Sequence, residues 1–151
     1  MKIYTLQAKQ ELPITKNDCW KFFSNPMNLQ KITPPDMDFE IKSQLPQTMY
    51  AGQIIIYKIK ILPGIKLNWI TEITHVDDGK FFVDEQRFGP YKFWHHQHLF
   101  KEVENGMEVK DVVHYAIPLG ILGRLFNSLF IKARLNKIFS YRKEYLKKFF
   151  K

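Results

Sequence analysis

The chain has 151 residues, enough for one domain with a single substantial core, and its 45% hydrophobic and 25% charged content is that of a globular protein. A lone cysteine, Cys19, excludes a disulfide framework and an iron–sulfur cluster. No apolar run approaches the ~18 residues of a membrane span, no signal peptide is read at the start, and the cytoplasm is the expected location. The net charge of +8 resides in residues 119–151, which carry nine Lys and Arg against one acid, Glu144.

Residues 3 to 11 alternate polar and apolar, the period of a strand. Thr15 and Asp18 form a capping box that opens a helix over Lys16 to Phe23. Asn25 caps a second short helix with Pro26 at its first position, and Pro34-Pro35 ends it. Strands follow at about 37–45, 53–61, 66–76, 80–88, 91–103 and 107–117, with turns at Ala51-Gly52, Pro63-Gly64, Asp77-Asp78-Gly79, Gly89-Pro90 and Asn105-Gly106. Connections this short make the neighbours antiparallel.

From Leu122 onward the chain is helical. Leu122, Leu125, Phe126, Leu129 and Ala133 share one face, whereas Ile131, Leu135, Ile138, Phe139, Tyr145, Leu146 and Phe149 fall roughly opposite. The shift predicts either a kink near Ser128 to Lys132 or a separate short first helix. Lys137, Lys143, Lys147, Lys148 and Lys151 point away from the second stripe. They form either a solvated helix back or a membrane- or partner-binding face. No aromatic residues interleave them, so no nucleic-acid partner is expected. A long curved antiparallel sheet needs its concave side covered, and this helix would do so, enclosing a cavity.

Residues 81 to 100 hold the densest chemistry. Strand alternation puts Phe82, Asp84 and Gln86 on one face, and Trp94, His96, His98 and Phe100 on one face of the next strand. On the strand at 107–117 the charged residues Glu108 and Lys110, with His114, should face solvent, which turns Asp111 and Tyr115 inward. Trp69 and Thr71 complete the inward set.

The order of these elements and several local motifs resemble the START-like, or SRPBCC, helix-grip superfamily of Bet v 1-like proteins. The likeness is greatest to bacterial SRPBCC ligand-binding proteins of the polyketide cyclase/dehydrase-like branch. It rests on FFSNPMNLQKITPP at residues 22–35, Trp69-x-Thr71-x-Ile73, F-x-D-E-Q-x-x-G-P-Y at 82–91, W-H-H-Q-H-x-F at 94–100, D-V-V-H-Y-x-x-P at 111–118 and I-F-S-Y-R at 138–142. The resemblance implies one α+β domain over residues 1–151, a curved antiparallel sheet of about seven strands around a long C-terminal helix. It implies a fold more firmly than a function, because the superfamily hosts lipid carriers, receptors, cyclases and oxygenase subunits.

Three readings of the polar residues follow. In the first, Trp69, Thr71, Phe82, Asp84, Gln86, Trp94, His96, His98, Phe100, Asp111 and Tyr115 surround a small hydrophobic ligand such as a lipid, polyketide or isoprenoid, the polar ones orienting one end. In the second, the same residues form a buried network of Asp84–His and Asp111–His pairs across neighbouring strands, since an unpaired buried charge is costly. In the third, His96 or His98, oriented by Asp84 or Asp111, is a general base and Tyr115 a proton donor in a cyclase or dehydratase. His96-x-His98 with one acid is a weak metal signal, and no metal or other cofactor is expected. Cys19 is read as a small buried hydrophobe.

Overall fold

The computed structural model describes residues 1–151 as one seven-stranded antiparallel sheet and a long C-terminal helix. The strands are β1 (Tyr4–Leu12), β2 (Glu40–Ile41), β3 (Gln53–Leu62), β4 (Ile65–Asp77), β5 (Phe81–Phe88), β6 (Phe93–Val103) and β7 (Gly106–Ala116). Their spatial order is β1-β7-β6-β5-β4-β3-β2, so β3 to β7 form a meander and β1 pairs beside the last strand. Register shifts in β4, between Ile70 and Thr71 and between Ile73 and His75, bend the sheet there.

Helix α1 (Lys16–Phe23) starts as its capping box requires, with the Asp18 N–H donating to Thr15 Oγ1 at 3.1 Å. Its inner face buries Cys19, Phe22 and Phe23. Burial raises the Cys19 thiol pKa to about 12, so it stays a protonated hydrophobe. Asn25 caps the next segment by accepting from the Met27 N–H at 3.0 Å, but only 3₁₀ turns form, over Pro26–Gln30 and Pro35–Met37. The strand expected over 37–45 shrinks to Glu40–Ile41. Asp38 takes the left-handed conformation at φ 45° and turns the chain just before it.

The C-terminal helix is continuous, with α2 (Gly120–Phe126) running through one widened π turn (Asn127–Ile131) into α3 (Lys132–Phe149). The extra residue in that turn produces the change of apolar face seen in the sequence. Gly123 lets α2 lie against the preceding loop, since a Cβ there would sit 1.9 Å from the Pro118 carbonyl oxygen. Helix α3 buries Leu135 and Leu146 over the sheet, with Ile138 and Tyr145 packed at the margin. The first stripe has no such cover: Leu122, Leu125 and Leu129 are exposed.

The core lies between the sheet's concave face, α1 and α3. It includes Phe22, Phe23, Ile55, Tyr57, Trp69, Ile73, Phe82, Phe100 and Leu146. Burying a side chain of this size contributes about 1.5–3 kcal/mol. No helix is long and apolar enough to cross a membrane.

Candidate functional site

The site is built on β5, β6 and β7. Antiparallel register sets Phe82 opposite His98 and Asp84 opposite His96, and then His98 opposite Asp111. Directly opposed side chains share a face, so two imidazoles on β6 are flanked by a carboxylate from each neighbouring strand. The imidazole centroids are 3.7 Å apart. His98 Nε2 lies 2.6 Å from Asp84 Oδ2, and its Nδ1 lies 3.1 Å from Asp111 Oδ1, off the line of a hydrogen bond. His96 Nε2 lies 3.0 Å from Asp111 Oδ1, and its Nδ1 lies 3.4 Å from Asp84 Oδ2. From α3, Arg142 Nη1 donates to Asp111 Oδ1 at 3.1 Å. Trp94 Nε1 donates to Asp84 Oδ1 at 3.3 Å.

These five groups divide the protons unequally. Burial works against the Asp111 charge, but Arg142 and the two histidines outweigh it and hold the carboxyl well below its usual range. Asp84 is lowered too, burial being outweighed by His96, His98 and Trp94. Burial also works against a charged His98, yet Asp111 and Asp84 on either side leave its pKa raised. Burial and the adjacent His98 charge together lower His96. The directions favour a single imidazolium, on His98, beside the two carboxylates and Arg142, with His96 the ring that resists a proton.

Above this cluster is a cavity of about 170 Å³ between the sheet and α3. Tyr57, Trp69, Phe82 and Trp94 line it from the sheet, and Ile138 and Phe139 from the helix. The 3₁₀ segment closes another side with Leu29, Ile32 and Met37. Four wall residues carry a buried nitrogen without a hydrogen-bond partner: Trp69 Nε1, His98 Nδ1, Arg134 Nε and Arg142 Nε. Arg134 donates its Nη2 to the Lys60 carbonyl and makes no ion pair of its own, although its charge reaches Asp36.

The structure superposes along nearly its whole length on ginseng major latex-like protein 151 from Panax ginseng, with a TM-score of 0.70 at 12% identity over 98% of this chain and 97% of that one. It superposes on Ara h 8.0201 with a TM-score of 0.59 at 14% identity, over 96% and 98% of the two chains. The chain has the helix-grip, Bet v 1-like fold. Protein CV1439 from Chromobacterium violaceum shares this helix-grip architecture, with a TM-score of 0.71 at 14% identity over 97% of this chain and 96% of that one. At such identities the likeness is one of fold. No family model matches the sequence, and no curated protein matches it either.

Within the helix-grip frame, Trp69, Thr71, Phe82, Asp84, Trp94, His96 and His98 all reach the cavity wall. Four other expected ligand contacts do not. The Gln86 side chain closes the β5–β6 turn, donating from Nε2 to the Tyr91 carbonyl at 2.7 Å and accepting from the Tyr91 N–H at 3.2 Å. It fills the space that a Cβ on Gly89 would need. Phe100 packs edge-on against Trp20 and beside Phe23, in the core beneath α1. Asp111 sits behind the histidines, capped by Arg142. Tyr115 donates its hydroxyl to Asn127 Oδ1 at 3.0 Å, because the π turn crosses the sheet there and occupies the space in front of it. The Tyr115 hydroxyl, expected inward as a candidate proton donor, therefore does not line the cavity.

Arg142, Arg134 and Tyr91 are site residues that strand alternation alone does not reveal, whereas Tyr57, opposite Trp69 on the inward face of β3, lay within its reach. Arg142 had a signal: it lies three and four residues from Phe139 and Leu146 on the apolar stripe of α3, where a cation requires a buried acid. Asp84, His96 and His98 also bring one ligand atom each within 4.8 Å of one another, a spacing compatible with a metal. Each ring nitrogen faces a carboxylate, however, and Arg142 places further positive charge at Asp111, so the cluster balances its charge without a cation.

Proposed function

We propose that the protein binds a small, largely hydrophobic molecule in the cavity between the sheet and the C-terminal helix. The observation that carries this reading is the cavity itself, walled by aromatic and aliphatic side chains and bordered at one side by a polar cluster. Apolar space of about 150 Å³ accepts a benzene-sized guest, so a volume of about 170 Å³ suits a compound of one or two rings or a short isoprenoid. A full acyl chain would need the walls to part.

The partnerless donors of Trp69, Arg134 and Arg142 favour a ligand whose polar end accepts hydrogen bonds. A carboxylate fits best, because Arg134 brings to the wall a positive charge that forms no ion pair, and burying an uncompensated donor is costly. Binding is preferred over cyclase or dehydratase chemistry on geometric grounds. Each ring commits its Nε2 to a carboxylate and has its Nδ1 within 3.4 Å of a second one, so both are held in the buried network.

Native mass spectrometry of the purified protein should find an extractable small molecule. Titration calorimetry with indole should give binding that Ile138→Trp, which fills the cavity, abolishes without lowering the melting temperature. A protein that neither carries nor takes up any such compound would end this reading.

A further inference from the structure

The start of the C-terminal helix carries six large apolar side chains in solvent. Leu119, Ile121, Leu122, Leu125, Leu129 and Phe130 are between 53% and 78% exposed. In an antiparallel meander the β3–β4 turn, the β5–β6 turn and the exit from β7 lie at one end of the sheet. Ile65, Leu67 and Phe88, also exposed, therefore belong to the same end as α2. An apolar set of this extent on one end marks an interaction surface rather than scattered exposure. Leu119 adds a strained detail: a bulky residue held at φ 71° with its side chain 77% exposed.

Around the α2 part of this set the charge is of one sign. No Asp or Glu occurs between Asp111 and Glu144. Arg124 and Lys132 stand among the leucines, and a surface recess gathers Lys2, Lys92, Leu119 and Arg124. None of the protein's ion pairs involves these four cations. A second copy packed across a two-fold axis would oppose the same cations, which disfavours self-association. Nucleic acid would have no use for the leucines. An interfacial apolar stripe bordered by cations is what an anionic bilayer receives.

We propose that this end of the protein docks on an anionic lipid surface, the α2 side chains entering the interface and Lys2, Lys92, Arg124 and Lys132 meeting the headgroups. Ile61, Tyr91, Ile131 and Arg134 line the cavity from the same end, so docking sets the cavity beside the lipid. The inference stands whether or not the cavity holds a ligand.

Vesicle co-sedimentation tests it, using phosphatidylcholine alone and phosphatidylcholine mixed with phosphatidylglycerol. Binding is expected to the mixed vesicles, to weaken as salt rises, and to disappear in Leu122→Ser/Leu125→Ser. Neutralising Lys92, Arg124 and Lys132 to Gln should weaken binding on the order of 100-fold, at about fivefold per cation. The matched change at the far end of the helix, Lys143, Lys147 and Lys148 to Gln, should leave it within a few-fold. All eight positions are exposed, so unchanged melting temperatures verify folding. Equal losses from the two triple variants would reduce the effect to net charge and overturn the proposal. So would no binding to the mixed vesicles, or a dimer in sedimentation velocity that the leucine substitutions dissolve.

Discussion

Arg142→Leu is the sharpest probe of the buried cluster. The guanidinium is 7% exposed, donates to Asp111 Oδ1 at 3.1 Å and lies over the rings of Phe23 and Phe139. Leucine keeps part of that apolar contact but leaves two carboxylates against one imidazolium. Removing one partner of a buried pair costs about 3–5 kcal/mol, and at about 2–4 °C per kcal/mol for a chain of this size the melting temperature should fall on the order of 10 °C. Arg142→Leu/Asp111→Asn removes both charges and should recover most of the loss. The variant also has a pH signature. With Arg142 gone, the cluster at neutral pH is negative and draws a second proton onto His96, raising its folded-state pKa relative to the wild type. If that value passes the unfolded value of about 6.5, protonation stabilises the folded state below it, so the deficit should be smaller near pH 5.5 than near pH 8. Urea denaturation of the wild type and both variants at the two pH values measures this. A single variant that loses less than about 1 kcal/mol, or a double variant no better than the single, refutes the charge accounting.

Two-dimensional NMR of the imidazole nitrogens should show the histidines titrating on opposite sides of about 6.5, His98 above and His96 below. His98 then contributes stability that is full below about 6.5 and lost as pH rises through its folded value, whereas His96 lowers stability as pH falls below about 6.5. Two identical titrations would contradict the single-imidazolium state. Calorimetry with 3-phenylpropanoate and 3-phenylpropanol should favour the acid at least tenfold, and Arg134→Gln should erase the difference. Equal affinities would leave the cavity reading intact and remove the carboxylate preference. Tyr115→Phe strands Asn127 Oδ1 in the core and should cost about 1–3 kcal/mol in denaturant, with ligand affinity unchanged because the hydroxyl lies outside the cavity.

Period-2 alternation and tight turns made most of the sheet legible, because a hairpin this short admits only one partner. The region from Pro34 to Pro46 was not, since a left-handed residue at Asp38 breaks the strand pattern and leaves only Glu40–Ile41 to pair with β3. In the site, alternation correctly grouped Asp84, His96, His98 and Asp111 on one face. It could not say which of them meets open space, because a sheet face is covered in part by its own helix. Tyr115 lost its opening to Asn127, and Gln86 lost its to the turn it closes. The helix shows the converse limit. Residues Leu122, Leu125 and Leu129 share a face as their spacing requires, but spacing says only that they are together, not that anything in the chain covers them.

The structural and ligand-binding readings of the histidine cluster are compatible because they use different atoms. Each imidazole engages its Nε2 with a carboxylate, and Asp111 Oδ1 takes both His96 and Arg142. The Nε2 atoms are therefore closed to a ligand. What remains for it are the ring faces, the indole N–H of Trp69 and the guanidinium nitrogens that Asp111 and Lys60 leave free. Protonating His96 would put two imidazolium rings 3.7 Å apart, which burial and mutual repulsion both oppose. An anionic ligand beside Arg134 and Arg142 would supply the missing negative charge and make that second proton less costly. Ligand binding and proton uptake at His96 are thus linked in sign: each should favour the other, and a carboxylate ligand should bind more tightly as pH falls toward the value at which His96 titrates.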